Sequence, residues 1–225
     1  MYTYSARCTA SPFVPRLALL LSTLPVFAAS QAASPSFTDA ATFQNDTIAA
    51  HNFYREQHGV GDLQWNDTSA SFAAEWAAAC NFEHSGGPTG ENLAAGYANA
   101  SASIDAWGLE RQEYDFGDPT GFSDETGHFT QLVWGNTTTV GCGVASCQGR
   151  NGTPGFYVVC EYYPPGNVMG NENQFFQENV LEQTMGEETD TVESGTTSSG
   201  HGHKHTRNLV GAVVIAAMVG FVIAV

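Results

Sequence analysis

The chain has 225 residues, of which 23 are acidic and only seven are lysine or arginine, and its formal net charge is −16. All 23 acidic residues lie between Asp39 and Glu193, where three arginines oppose them. Such a surface repels phosphate backbones and anionic lipid headgroups, which excludes nucleic acid as a partner and charge-driven docking on a membrane. The central part of the chain is long enough for one domain with a single sizeable core.

The beginning of the chain has the composition of an export signal. Arg7 and Arg16 are followed by an apolar run over residues 17–29 and then by small residues. The run is too short to span a bilayer comfortably. Residues 1–33 are therefore predicted to be a secretory signal peptide that is removed.

Four helices are predicted in chain order, over residues 39–58, 69–81, 103–113 and 127–134, with Asp39 as the cap of the first. The periodicity then changes, and residues 140–145 and 155–162 are predicted to be two antiparallel strands joined by a turn. Helices and strands mixed in this way indicate an α+β layered domain, which we place at residues 38–181. Residues 182–200 lose apolar periodicity and are predicted to be a disordered Ser/Thr/Glu stalk.

The end of the chain has the pattern of a lipid-anchor signal. Residues 209–225 are apolar or small, and nothing charged follows them. Small residues around Ser198, a polar spacer and a terminal apolar tail are typical of a glycosylphosphatidylinositol (GPI) signal, here residues 201–225. Attachment at Ser198 leaves a spacer of eight residues, whereas attachment at Ser194 leaves twelve. A retained membrane tail is the alternative.

The cysteines agree with export. Cys8 leaves with the signal peptide, and an even number in an exported chain indicates disulfides, with three possible pairings. Zinc ligation by the four thiolates is the rival interpretation, but the spacing fits no common zinc finger. The four cysteines are Cys80, Cys142, Cys147 and Cys160.

Five Asn-x-Ser/Thr triplets are predicted glycan acceptors. They lie at Asn45, Asn66, Asn99, Asn136 and Asn151.

Four short stretches then suggest a family. They read HNFYR at 51–55, GENLA at 90–94, GHFTQLVW at 127–134 and YVVCEYYPPGN at 157–167. Their order and spacing resemble the superfamily of cysteine-rich secretory, antigen 5 and pathogenesis-related (CAP) proteins, and most of all its fungal, sterol-binding branch. One departure is Glu161, where the family's second signature normally has asparagine or a similar polar residue.

The resemblance implies a three-layer α/β/α sandwich with disulfides Cys80–Cys142 and Cys147–Cys160. It also implies a cleft in which His84 and His128 are metal ligands with Glu91 and Glu110 beside them. Two imidazoles with neighbouring carboxylates can hold a divalent ion, zinc or magnesium, weakly. The alternative is that these histidines and glutamates only satisfy one another. No nucleophile is evident, and the chain is therefore not expected to be an enzyme.

A loop between residues 110 and 127 is the second candidate site. It carries three aromatics, Tyr114, Phe116 and Phe122, among glycines, Pro119 and aspartates. A loop at this position resembles the sterol site of the fungal branch, and an apolar groove between the first and last helices resembles a fatty-acid site. The alternative is that the three rings are buried as anchors of the loop.

The sequence therefore predicts a secreted, glycosylated and GPI-anchored protein of the plasma membrane or cell wall that binds a sterol or a fatty acid. The membrane is a partner only through the lipid anchor, and no protein partner is indicated. Two alternatives stay open. One is a metal-dependent hydrolase or peptidase that uses the two-histidine, two-glutamate cleft, and the other is a surface protein of adhesion or immune interaction.

Overall fold

The computed structural model describes residues 32–194 and, for the backbone alone, Val222–Ala224. The helices are α1 (Pro35–Thr38), α2 (Ala40–Gln57), α3 (Asp67–Ala78), α4 (Ala100–Gly108), α5 (Gly127–Leu132) and α6 (Gln174–Asn179). The strands are β1 (Gln64–Trp65), β2 (Gly90–Ala95), β3 (Thr139–Ser146), β4 (Phe156–Tyr163) and β5 (Val222–Ala224). Short 3-10 turns occupy Leu109–Glu113, Arg150–Gly152 and Asn171–Asn173.

Three side chains cap the N-termini of the three longer helices. Asp39 Oδ1 accepts from Thr42 N at 2.8 Å, Asn66 Oδ1 from Ser69 N at 3.1 Å, and Asn99 Oδ1 from Ala102 N at 2.8 Å. Each carboxylate or amide oxygen satisfies a backbone N–H that has no partner inside the helix. Asn66 and Asn99 are thus structural caps as well as predicted glycan acceptors.

The strands form one sheet in the order β1-β3-β4-β2-β5. β1 is parallel to β3, and the other neighbours are antiparallel. In the register of β2 against β4, Glu91 lies opposite Glu161 and Asn92 lies opposite Cys160. Because consecutive side chains of a strand project from opposite faces, this register decides which residues share a face.

The helices cover both faces of the sheet and so confirm the three layers. α3 packs on β3 and β4, whereas α2, α4 and α5 pack on one another on the other face. The larger core cluster includes Tyr54, Trp107 and Phe129, and the smaller one, under α3, includes Ala73 and Ala77. α3 approaches the sheet closely because β3 carries glycines: a methyl group on Gly143 would collide with the backbone of Ala74.

The disulfide pairing corrects the expectation from family resemblance. The structure joins Cys80 to Cys147 and Cys142 to Cys160, not Cys80 to Cys142 and Cys147 to Cys160. Cys142 and Cys160 are direct cross-strand partners in β3 and β4, with their Cα atoms 4.1 Å apart. Cys147 follows the end of β3, where it meets the chain leaving α3 at Cys80. Register therefore decides the pairing.

Residues 183–193, which we call the C-terminal strap, are bonded to the domain rather than disordered as expected. Arg111 donates to the carbonyl oxygens of Glu187, Glu188 and Asp190, each at 2.8 Å. Asp105 accepts from the backbone N–H groups of residues 192 and 193, at 2.8 and 3.0 Å. The ordered domain thus extends past residue 181, to the end of the strap.

The signal peptide (residues 1–33) and the anchor signal (residues 201–225) lie outside the described residues, apart from residues 32–33 and the backbone of β5. Ser198 lies outside them as well. Among the residues that are described, no helix is both long and apolar enough to cross a membrane.

Candidate functional site

The first histidine–carboxylate pair joins the loop after α3 to the start of β2. His84 Nδ1 lies 2.6 Å from Glu91 Oε1, and Ser85 N donates to the same oxygen at 2.9 Å. The His84 side chain is about one-third exposed and that of Glu91 is nearly buried. Although burial opposes it, hydrogen bonds from His84, Glu161 and Ser85 hold the pKa of Glu91 below its usual value.

The second pair joins the 3-10 turn after α4 to the start of α5. His128 Nδ1 lies 2.6 Å from Glu110 Oε1, and Glu110 Oε2 accepts from the backbone N–H groups of His128 and Phe129 at 3.1 and 3.0 Å. Trp107 stacks on the His128 ring, with centroids 6.0 Å apart and an interplanar angle of 7°. The imidazole is therefore fixed by a carboxylate at its edge and an indole on its face.

The beginning of β2 lies between the two pairs. Glu91 projects toward the face that α3 covers, and Asn92 projects toward the other face, where its Nδ2 donates to the His128 carbonyl oxygen at 3.0 Å. The structure thus pairs His84 with Glu91 and His128 with Glu110.

Sequence reasoning missed three residues that lie next to these pairs. Glu161, which the sequence showed only as an acid without a role, faces Glu91 across the strands, and Thr89 Oγ1 donates to its Oε2 at 2.5 Å. Tyr97 lies close to Glu110, and burial together with that carboxylate raises the pKa of Tyr97 to about 12. The pairing of β2 with β4 is the signal that would have connected Glu161 to the site.

The HNFYR stretch is structural. His51 is buried, with Nδ1 2.8 Å from the Thr47 carbonyl oxygen and Nε2 2.8 Å from the Tyr162 hydroxyl, and burial lowers the pKa of its imidazole to about 4. The Arg55 guanidinium donates to the carbonyl oxygens of Leu132, Trp134 and Thr137 at 2.9–3.0 Å. These bonds fix α2 to the sheet and to the chain that follows α5.

A metal at the predicted site would have to be taken by Nε2 of each imidazole, because Nδ1 of His84 and of His128 is engaged by a carboxylate. This arrangement, in which a carboxylate fixes the tautomer of the ring, is the usual one around metal-binding histidines. In the described part of the chain, one set of three ligand atoms lies within 4.8 Å, at His51, Cys142 and Cys160. Cys142 and Cys160 of that set are joined in a disulfide, so their sulfur atoms are not thiolate ligands.

Two of the three aromatics assigned to the ligand loop are packed inward. Tyr114 is 8% exposed, and its ring centroid lies 4.9 Å from that of Phe116 and 5.9 Å from that of Phe129. Phe116 stacks on His58 at 5.7 Å. The expectation that these rings line a mouth is therefore corrected for Tyr114, which is buried in the core, whereas Phe116 is half-buried and packs against the core.

The third aromatic does reach the surface. Phe122 is 39% exposed, and its backbone N–H donates to Met169 Sδ at 3.4 Å. Met169 and its neighbour Val168 are 60% and 43% exposed, and Gly121, at φ +92°, has no room for a side chain because a Cβ there would collide with Asn173 Oδ1. Phe122, Val168 and Met169 form one apolar surface across two loops, which we call the two-loop patch.

An apolar groove of about 460 Å³ lies elsewhere, between the start of α2 and α3 over the outer edge of β3. Phe37, Phe43, Trp65 and Val144 line it. The resemblance had placed such a groove between the first and last helices, whereas this one involves α3 and not α6.

Comparison with known proteins agrees with the geometry. The model of the cysteine-rich secretory protein family (CAP) matches residues 48–162. The chain is 44% identical over 144 residues to Protein PRY2 of Saccharomyces cerevisiae and 42% identical over 147 residues to Secreted protein RBT4 of Candida albicans, each alignment covering 62% of this chain. It spans 41% and 40% of the length of those two relatives.

One solved structure is similar over most of the described domain. The crystal structure of NaASP2 with Zn2+ superposes with a TM-score of 0.50 and 25% identity, covering 62% of this chain and 85% of that one.

The two kinds of loop aromatic should differ in their effect on stability. Tyr114→Ala removes a buried ring and is expected to lower the free energy of unfolding by about 3 kcal/mol. Phe122→Ala removes an exposed ring and should change it by less than about 0.5 kcal/mol. Chemical denaturation of both variants measures this, and equal losses would show that Phe122 is packed as firmly as Tyr114.

Proposed function

Because the chain belongs to the cysteine-rich secretory protein (CAP) family, we propose that it acts outside the cell as a binding protein for a sterol or a related small hydrophobic ligand. The observation that carries the proposal is the two-loop patch, in which Phe122, Val168 and Met169 expose apolar surface together. Contiguous apolar surface on a soluble domain is typical of a binding site. The family name and the name of its relative RBT4 both describe secreted proteins.

The energetics of such a site favour a rigid, weakly polar ligand. Burying apolar surface contributes about 25 cal/mol per Å², so a few hundred Å² yield several kcal/mol before ordering costs. Tyr114 and Phe116 hold the base of the loop against the core, which limits the ordering that binding requires. Asp118, Asp124 and Glu125 in the same loop are exposed, so an anionic ligand would be repelled.

Binding is favoured over hydrolysis by the state of the cleft. Both cleft carboxylates are engaged by imidazole and backbone N–H groups, and Ser85 Oγ accepts from Gly87 N at 3.2 Å. No sequence motif adds a nucleophile to this set. The fixed groups are those of a structural or ion-binding site.

Sterol binding should depend on the two-loop patch. We expect labelled cholesterol or ergosterol to bind the secreted protein saturably, and Phe122→Ala with Met169→Ala to weaken binding at least tenfold, because those side chains supply the contact area. Phe72→Ala on α3 is the matched control, since Phe72 is 41% exposed and lies on a helix rather than on either loop of the patch.

Two outcomes would contradict this assignment. Equal binding by the double variant and the Phe72 control would remove the patch as the site. Displacement of the label by an unlabelled fatty acid, together with loss of binding in a Trp65→Ala variant, would move the site to the groove over β3, which Trp65 lines.

The protein is further proposed to be held at the cell surface by a GPI anchor at Ser198. The strap supports Ser198 over Ser194, because Ser194 N and Oγ are bonded to Thr191 Oγ1 and O at 3.0 and 2.9 Å. Removal of the chain after Ser198 would also remove β5, which pairs with Leu93–Ala95 of β2.

The anchor predicts release by an enzyme. Phosphatidylinositol-specific phospholipase C should move the protein from intact cells into the medium, and Ser198→Trp should abolish surface display because a bulky residue is not accepted at the attachment site. Ser194→Trp is the control. Resistance to the phospholipase, with a peptide containing residues 222–224 still present in the mature protein, would instead show a retained tail.

His84 and His128 are proposed to hold a divalent ion, with Glu91 and Glu110 orienting their rings. Imidazole ligands suit zinc better than magnesium, which prefers oxygen. The solved relative NaASP2 was crystallised with Zn2+. In this chain His84 and His128 would supply two nitrogen ligands, and the bound ion would leave positions for water.

Zinc binding can be separated from chelation by the terminal histidines. In the processed protein, or in a protein that retains its tail but has His201, His203 and His205 replaced by Gln, calorimetry should show zinc binding that His128→Gln weakens at least tenfold. Magnesium should show no binding under the same conditions. Zinc affinity that is unchanged by His128→Gln would remove the cleft as the site.

A further inference from the structure

Glu161 is a buried acid in the middle of a strand. It is 1% exposed, lies opposite Glu91 in the register of β4 with β2, and accepts from Thr89 Oγ1 through Oε2. An ionised carboxylate in such a position requires a cation or several hydrogen-bond donors.

The two histidine–carboxylate pairs differ in one respect. Both oxygens of Glu110 have donors: Oε1 has His128 Nδ1, and Oε2 has two backbone N–H groups of α5. At Glu91, both donors, His84 Nδ1 and Ser85 N, are directed at Oε1. Glu91 Oε2 and Glu161 Oε1 are buried and have no other hydrogen-bond donor among the described residues.

These two remaining oxygens belong to side chains that lie directly opposite each other on one face of the paired strands β2 and β4, so their carboxyl groups are neighbours. Two ionised carboxylates so placed would repel strongly, and one proton between them removes the repulsion and supplies the missing hydrogen bond. The titratable groups nearby are His84, Glu83 and Tyr157 around Glu91 and Tyr162 beside Glu161, and none of them is a lysine or arginine.

The proton belongs on Glu161. Burial, followed by its contact with Glu91, raises the pKa of Glu161 to about 8, whereas Glu91 has the donors that favour its ionised form. Thr89 Oγ1–H donates to Oε2, which leaves Oε1 to carry the proton toward Glu91.

We propose that Glu161 is a positioning residue that stays protonated at neutral pH, donates a hydrogen bond from Oε1–H to Glu91 Oε2, and so holds Glu91 in the orientation that accepts from His84 Nδ1. Its effect on the cleft passes through Glu91, which fixes His84 as the Nδ1–H tautomer. The His128 pair needs no such third acid, because α5 supplies the backbone donors.

The first test compares two substitutions of similar length. Glu161→Gln keeps a donor facing Glu91 through its amide, whereas Glu161→Met removes it. In ¹⁵N spectra of the histidine rings near neutral pH, wild type and Glu161→Gln should show His84 as the Nδ1–H tautomer. Glu161→Met should shift the His84 signals toward a mixture of tautomers, while His128 stays unchanged as the internal reference.

Two results of that experiment would overturn the proposal. His84 signals in Glu161→Met that match wild type would show that Glu91 needs no donor from β4. Signals in Glu161→Gln that match Glu161→Met would show that the group facing Glu91 is not a donor in the native protein.

A second measurement does not depend on the folding of the Met variant. The pKa of Glu161 is raised in the folded state, from 4.5 to about 8, so its contribution to stability is lost as pH rises through that window. The melting temperature of the wild type relative to Glu161→Gln should therefore fall between pH 4.5 and 8 and then level off. Parallel profiles for the two proteins would show that Glu161 is ionised throughout and would refute the proposal.

Discussion

The register of β2 against β4 is the constraint on which the site depends. It places Glu91 opposite Glu161 on the face under α3, and in the same step it places Asn92 and Tyr162 on the other face. There Asn92 Nδ2 contacts the Tyr162 hydroxyl at 3.2 Å, and that hydroxyl contacts His51 in α2. A shift of one residue would exchange the faces and separate every one of these contacts.

The two histidine–carboxylate pairs consequently hold their carboxylates in two different ways. A carboxylate that orients an imidazole must itself be held on its second oxygen. In the His128 pair, the second oxygen of the carboxylate is held by backbone N–H groups in the first turn of a helix. These N–H groups are available because they lack partners inside the helix. The His84 pair has no helix N-terminus beside it, and the side chain of Glu161 holds the second oxygen of Glu91 instead. The loop after α3 is thereby coupled to the interior of the sheet through a side chain that solvent does not reach.

The sequence predicts much of this fold because its signals are local. Asp39 and Asn66 mark helix starts, and the β-rich runs around residues 140 and 160 mark strands. β2 is not predicted, because GENLAA contains glycine and alanines in place of the β-branched residues that favour strands. The buried face of α3 does not follow from its largest apolar residues: Phe72 is exposed, and the helix buries Ala73 and Ala77, since it packs closely on the glycines of β3.

The sequence likewise predicts only those parts of the site that local motifs contain. The family resemblance identifies His84, Glu91, Glu110 and His128, and the structure shows which histidine contacts which glutamate, His84 with Glu91 and His128 with Glu110. The disulfide pairing and the partner of Glu161 follow from which residues face each other across strands, which no motif contains. Tyr114 and Phe116 show the same limit, because an aromatic on a glycine-containing loop can point toward the core or away from it. Only packing against Phe129 and His58 decides between these.

The C-terminal strap determines how far from the cell membrane an anchored domain would lie. A disordered stalk would let it drift several nanometres above the lipid and turn freely. With the chain bonded to Arg111 and Asp105 as far as residue 193, only four residues, 194–197, separate Glu193 from the proposed attachment at Ser198. Four extended residues reach about 14 Å, so this short tether and the glycan of the anchor alone would separate the domain from the bilayer. Its approach to the membrane would be set by the side where Glu193 meets Asn99, at the start of α4. A receptor or carrier held in this way searches a thin layer of solution next to the membrane, and its orientation becomes part of its specificity.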